Sequence, residues 1–407
     1  MAKPSQPDQE IPPLWQYVSI AEYQLPTTPV EHTVKQEFSS IWRQFWPKPK
    51  PAPAAPLKTK DELRTMSTAQ IEWIAPAPNW QPMAAALDDA LVEWLDNEQP
   101  PQARVFVIAP PHGGHSDILT TWAKNHDWRI VSPPSPEQIL ARDLSWLDEQ
   151  LRDPSPWVLP SLERCYLRHA RGFELVRHLL DQSSLLGHSI IGCDSWAWAF
   201  LRKVWRGPEP PALALQGLDQ QGLARWFQGF ITDRFVFRQA DSGAYVLPPP
   251  ADIAEDSSSS IKISDFLRIL AAHSRGIPGI AHAIWRTSLR TTPDETFSDT
   301  AANEDHTNHR TTIWVAPWNQ IKQPTATAEL LRKHAFLLHT LLLHNSLTHT
   351  TLALLLPLAA SSPEAALACL EEAGLVIRHA EEWRISPAGY PIVRQFLNDD
   401  GYLIDVF

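Results

Sequence analysis

The sequence predicts an α/β fold, a parallel sheet with helices on both faces, and two observations carry that expectation. Between about residues 70 and 240, compact strand-like runs alternate with helix-like runs, the pattern of a parallel sheet with helical crossovers. The chain has 407 residues, 43% hydrophobic and 20% charged, enough for two or three domains and a sizeable core.

Taken in order, Arg104 to Ala109 (RVFVIA) reads as a buried strand, followed by a Gly-containing loop and a helix over Asp117 to Lys124. Arg129 to Val131 and Trp157 to Leu159 are further strands, the second ended by Pro160. A helix over Phe173 to Leu180 leads to a fourth strand, Ser189 to Cys193, and then to a helix over Trp196 to Lys203. These elements fill an α/β domain over residues 61–250.

The flanking segments have a different character. In the extension 1–60, Val34, Phe38, Ile41, Trp42 and Phe45 form one apolar stripe at helical spacing, and Pro47 to Pro56 is a stiff polyproline-type linker. A tethered amphipathic helix of this kind, residues 31–46, is a docking segment, for this protein's own body or for a protein partner. Residues 251–312 read as a helical lid followed by a polar loop. Ile263, Phe266, Leu267 and Leu270 share a face, Gly276 breaks the chain, and Pro278 suits the first turn of a second helix. Residues 313–407 end in helices over Leu352 to Leu358 and Pro363 to Ala373, then short strands Leu375 to His379 and Glu382 to Ile385. Helix, turn, helix and two-stranded wing predict a winged-helix domain.

Charge and cysteine content narrow the function classes. The net charge of −11 argues against general attraction to nucleic acid. From Ser361 to Phe407 eight acidic residues face three basic ones, and the would-be recognition helix carries Glu364, Glu371 and Glu372 without a lysine or arginine. Phosphate would repel such a helix, so a protein contact is expected there instead. Three isolated cysteines without metal-ligand spacing point to a reducing, cytoplasmic setting, and no apolar run reaches membrane-spanning length. His334, His339, His344 and His349 recur every five residues, a step that does not converge on a metal; they are expected at the surface or its boundary.

The loop after the first strand, Ala109-Pro110-Pro111-His112-Gly113-Gly114-His115-Ser116, is a strand–turn–helix junction of the kind that points backbone N–H groups at phosphate. Against the pattern G-x-x-x-x-G-K-[ST], Gly114 and Ser116 match, Ala109 replaces the first glycine and His115 replaces the lysine. The strand that should end in a magnesium-orienting aspartate runs into Pro160, with Glu163 three residues on. Glu163 is the candidate base for polarising water, or else a helix-surface partner of Arg164 or Arg168. Asp194-Ser195, at the C-terminal end of the fourth strand, sits where such sheets bind ligands; Ser195 also suits a helix cap.

In this order the parts resemble the AAA+/STAND class of P-loop ATPases, over roughly residues 70–407. The segment Ser274 to Gly279 is similar to the G-x-P motif in the lid of STAND proteins, and LERCYLRHARGFE and IIGCDSWAWAFL resemble stretches of bacterial ATP-binding proteins of this class. The resemblance implies a P-loop NTPase sheet, helical lid and winged helix. It implies ATP or ADP as ligand, held by Gly113, Gly114, His115, Ser116, Asp194 and Pro278, the last packing on adenine. His115 and Pro160 stand where the family has its lysine and aspartate, which damages the magnesium site and predicts an absent or very weak ATPase. The expectation is a regulatory or scaffolding protein, with a slow nucleotide switch and a DNA-binding regulator as alternatives.

Overall fold

The computed structural model describes residues 12–26, 58, 62–97, 103–153, 155–183, 187–230, 234–250, 261–292, 310–356 and 363–407. The expected helix at 31–46 and the proline linker lie outside the described residues. In chain order the first elements are β1 (Tyr17–Ser19), β2 (Arg64–Thr65), α1 (Thr68–Ile74), α2 (Gln81–Leu95), β3 (Arg104–Ala109), α3 (His115–Asn125) and β4 (Arg129–Ile130). There follow α4 (Pro136–Ala141), α5 (Ser145–Leu151), β5 (Trp157–Leu159), α6 (Glu174–Gln182), β6 (Ser189–Asp194), α7 (Ser195–Val204), β7 (Ala212–Leu215) and α8 (Gln220–Gln228). Beyond these lie β8 (Phe235–Gln239), α9 (Phe266–Ser274), α10 (Pro278–Ser288), β9 (Leu289–Thr291) and β10 (Thr311–Val315). The chain closes with α11 (Ala328–His344), β11 (Leu347–Thr348), α12 (His349–Leu355), α13 (Pro363–Glu372), β12 (Val376–His379), β13 (Glu382–Ile385) and α14 (Tyr390–Asp399).

Every residue of β3 and of β6 is buried, as continuous apolar runs demand of strands covered on both faces. They pair in parallel from Arg104↔Ser189 to Ala109↔Asp194 at the centre of a six-stranded sheet ordered β1-β7-β3-β6-β5-β4. Only β1 runs antiparallel, against β7. The strand carrying the glycine loop and the strand ending at Pro160 are therefore separated by β6. The chain leaves β3 for one side of the sheet and returns to its other side at β7, so the crevice at the C-terminal ends of β3 and β6 is a topological switch point. Trp122, Trp157, Trp196 and Trp285 are fully buried, in keeping with tryptophans that serve as core.

A second sheet, ordered β2-β9-β10-β8, was not expected. Its strand β10 lies where the polar stretch 291–312 meets residue 313, and it pairs in parallel with β8 from Thr311↔Phe235 to Val315↔Gln239. One sheet thus joins residues 64–65, 235–239, 289–291 and 311–315 across the divisions expected near 250 and 312. The β-branched and aromatic residues of TTIWV suit a strand, but its first two residues continue the preceding polar run.

In the C-terminal unit, α11 is followed by β11, α12, α13 and the β12–β13 hairpin, and β13 is the middle strand of an antiparallel sheet ordered β11-β13-β12. Gly374, at φ +77°, turns the chain from α13 towards β12, a conformation that suits a residue without Cβ. The histidines of α11 correct the sequence expectation: His334, His339 and His344 are buried, because α11 packs against α7, α14 and β13 and is covered on most sides.

Candidate functional site

The loop between β3 and α3 is shaped by two left-handed residues, His112 at φ 65° and Gly114 at φ 80°. Gly113 N–H donates to the Pro110 carbonyl at 2.8 Å and closes the turn. The loop is covered from two sides. A Cβ on Gly114 would lie 2.4 Å from the Trp80 ring, so the indole rests against the glycine itself. Pro278 is buried in the first turn of α10, and Gly279 N–H donates to the His112 carbonyl at 3.1 Å, so the N-terminus of α10 is fixed to the loop. Only glycine permits that approach, since a Cβ at 279 would sit 2.4 Å from His112 O. The structure thus sets the loop of Gly113 and Gly114 beside the first turn of α10, which begins at Pro278, and adds Trp80, which no motif announced. Ser116 is half-buried on α3.

The residue in the lysine position does not project into open space. His115 is buried, and its Nε2 lies 3.1 Å from Oε1 of the equally buried Glu163, on the short 3₁₀ turn after β5. Glu163 Oε2 accepts the Asp194 N–H at 3.1 Å, and the Glu163 carbonyl accepts from His344 Nδ1 at 3.3 Å. Burial pushes the Glu163 carboxyl up, but His115 and backbone N–H groups more than offset this and hold it below the usual range. Glu163 therefore pairs with neither Arg164 nor Arg168. Arg164 reaches Glu382 and Ser346, and Arg168 reaches His339.

Asp194, not Ser195, caps α7: its Oδ1 accepts the Trp196 N–H at 2.9 Å. Its Oδ2 is buried with no hydrogen-bond partner. Burial, and then the nearby Glu163 carboxylate, raise the Asp194 carboxyl well above its ordinary value. The expected cap, Ser195, instead donates to Asp405 Oδ2 at 2.5 Å, and Asp405 is joined to Arg394 at 3.1 Å. Neither Asp405 nor Arg394 carried a sequence signal, because both reach the site only through packing of the C-terminal unit. Three carboxyls, from Glu163, Asp194 and Asp405, thus meet at the C-terminal edge of the sheet.

No family model matches the chain, and no curated protein matches it. Among solved structures, a Signal Transduction ATPase with Numerous Domains (STAND) protein with a tetratricopeptide repeat sensor, from Pyrococcus horikoshii, aligns with TM-score 0.29 and 11% identity. The match covers 85% of this chain and 44% of that one, so the chain spans less than half of the aligned protein. A likeness at this level decides neither fold nor function, which rest on the geometry.

Within this geometry the position of the motif lysine is already committed. Among the described residues no cluster of three His, Cys, Asp or Glu could hold a metal ion. The lysine's place is taken by an imidazole already engaged by the Glu163 carboxylate, so that side chain is not free to reach a phosphate. The C-terminal unit also closes over the edge. Tyr166 donates to the Leu343 carbonyl at 2.7 Å, Trp196 Nε1 donates to Tyr390 at 3.2 Å, and Arg164 grips Glu382 with both terminal nitrogens. A cleft of about 370 Å³ remains between the units, lined by Pro133, Pro136, Tyr166, His344, Thr351 and Glu382 among others. No helix among the described residues is long and apolar enough to cross a membrane.

Proposed function

We propose that the protein is a degenerate AAA+/STAND-like scaffold or regulator, a P-loop-type α/β body that acts through protein contacts rather than ATP hydrolysis. The observation that carries this reading is the buried His115–Glu163 pair at 3.1 Å, which joins the residue in the lysine position to the candidate base. A catalytic Glu163 needs a water and a phosphate before it; here its two oxygens accept from His115 and from the Asp194 backbone. The order of α11, β11, α12, α13 and the β12–β13 hairpin supports a winged helix, and the acidic residues of α13 favour a protein partner over DNA. Residues 31–46 are the second contact segment in this reading.

A nucleotide switch is the alternative, and one observation favours it: the N-terminus of α3 has no side-chain cap, so its N–H groups would meet a phosphate of ATP or ADP once the Trp80 ring moves off Gly114. A fluorescent ATP analogue titrated with and without magnesium separates the two. The scaffold reading expects no saturable signal into the high micromolar range. Saturable micromolar binding that disappears in Gly114→Asp would overturn it and establish the switch.

A further inference from the structure

We propose that docking of the C-terminal tail, residues 401–407, on the sheet edge is gated by a single proton held on the Asp194 carboxyl. The case begins with an unpaired atom. Asp194 Oδ2 is buried without a hydrogen-bond partner, while Oδ1 is committed to the Trp196 N–H. As a carboxylic acid the group is neutral and tolerable there; as a carboxylate it would be a bare buried charge.

The groups around Asp194 are mostly acidic. From the turn after β5 comes Glu163, its carboxylate accepting the Asp194 N–H. From the tail comes Asp405, bound to the neighbouring Ser195. Cys193 precedes it on its own strand, Tyr166 lies on the β5 side, and Tyr390 of α14 reaches Trp196. From α11, His344 bonds the Glu163 carbonyl and His339 packs edge-on to Trp196. The cationic side is thinner: His115 is turned to Glu163, Arg394 to Asp405, and Arg275 acts on Asp405 and Tyr23. None of these cationic groups hydrogen-bonds the Asp194 carboxyl, whose Oδ2 has no partner and whose Oδ1 accepts from Trp196 N–H.

When Asp194 loses its proton to a base in solvent, the new charge faces Glu163 and Asp405 with no cation bonded to it. On the sheet side β6 is hydrogen-bonded along both edges, to β3 and β5, whereas residues 402–407 of the tail belong to no helix or strand. The tail is held at this point by the Ser195–Asp405 hydroxyl bond, by Arg394, and by the Leu403 carbonyl on His339. Its departure takes one carboxyl away and lets water reach another. The device therefore couples proton release to exposure of the Ser195–Trp196–Tyr390 joint. It does not depend on whether nucleotide binds.

Hydrogen exchange of residues 195–198 and 402–407, followed between pH 7 and 9 and corrected for the intrinsic base catalysis of exchange, tests the proposal. That window lies above the range in which His339 titrates. If opening releases one proton, protection falls with rising pH in the wild type, by up to about tenfold per pH unit. In Asp194→Asn, which keeps the oxygen that caps α7 and replaces the acid with a neutral amide, protection should stay flat. In Glu163→Gln, removal of one repelling charge lets Asp194 ionise in the closed state sooner, so the fall levels off at a lower pH. Equal slopes in wild type and Asp194→Asn overturn the proposal, as does an unchanged profile in Glu163→Gln. Neither readout involves nucleotide, so failure here leaves the scaffold reading standing, and the reverse also holds.

Discussion

His115 and Glu163 illustrate how much one contact decides at the scale of the residue. Each is buried, so each depends on the other for a partner that water would otherwise supply. Removing one side of a buried pair that carries charge costs about 3–5 kcal/mol, because the survivor is left unpaired. His115→Ala is therefore expected to destabilise strongly, leaving Glu163 Oε1 without its imidazole. Once His115 is gone, the second change, Glu163→Ala, should cost far less than it does alone. A double-mutant cycle in urea should return a coupling of about 1–3 kcal/mol. Simple additivity would mean that the two side chains do not support one another. The sequence exposed both residues as site candidates but not their union, which depends on where β5 and β6 place the turn after Pro160.

At the scale of the element, α11 makes the clearest prediction, and it concerns acid. Burial holds His339 and His344 down at about 4, against about 6.5 in an unfolded chain. Their hydrogen bonds agree with neutral rings: His339 accepts from Arg168 at Nδ1 and donates to the Leu403 carbonyl, and His344 accepts from the Arg168 N–H while donating to the Glu163 carbonyl. A depressed histidine binds its proton better in the unfolded state, so its contribution is complete above pH 6.5. It is lost progressively as pH falls towards 4. Thermal unfolding should show a midpoint that declines over that window, and a His339→Gln/His344→Gln variant should decline less steeply. An unchanged slope in the variant would assign acid sensitivity to other groups. The elements themselves were unevenly legible. β3 and β5 announced themselves as apolar runs, and α10 by Pro278 after Gly276, because local composition fixes them. The two-residue strands β2 and β11 had no such signal and are defined by their pairing with β9 and β13. The burial of α11 was equally hidden, because its histidines repeat at a step that says nothing about what packs over them.

For the whole molecule, the ends of the described chain meet beside the site. β1 adds to the sheet edge at β7, Arg225 holds the Pro12 carbonyl, and the Tyr23 ring stands edge-on to Phe407 with centroids 4.6 Å apart. The parallel sheet was readable from alternation alone. This closure was not, because it joins residues nearly the full chain apart that belong to no local pattern. Phe407 is 1% exposed, whereas its neighbour Val406 is 72% exposed, so the two form an internal comparison. Truncating a buried phenylalanine costs about 3–5 kcal/mol, while an exposed substitution stays within about 0.5 kcal/mol. Phe407→Ala is therefore expected to lower the unfolding midpoint and to speed proteolysis of the segment 12–26, which has lost its neighbour. Val406→Ala should do neither. If the two variants unfold and are cleaved alike, the tail does not brace the N-terminal segment, and the contact between Tyr23 and Phe407 is incidental to stability.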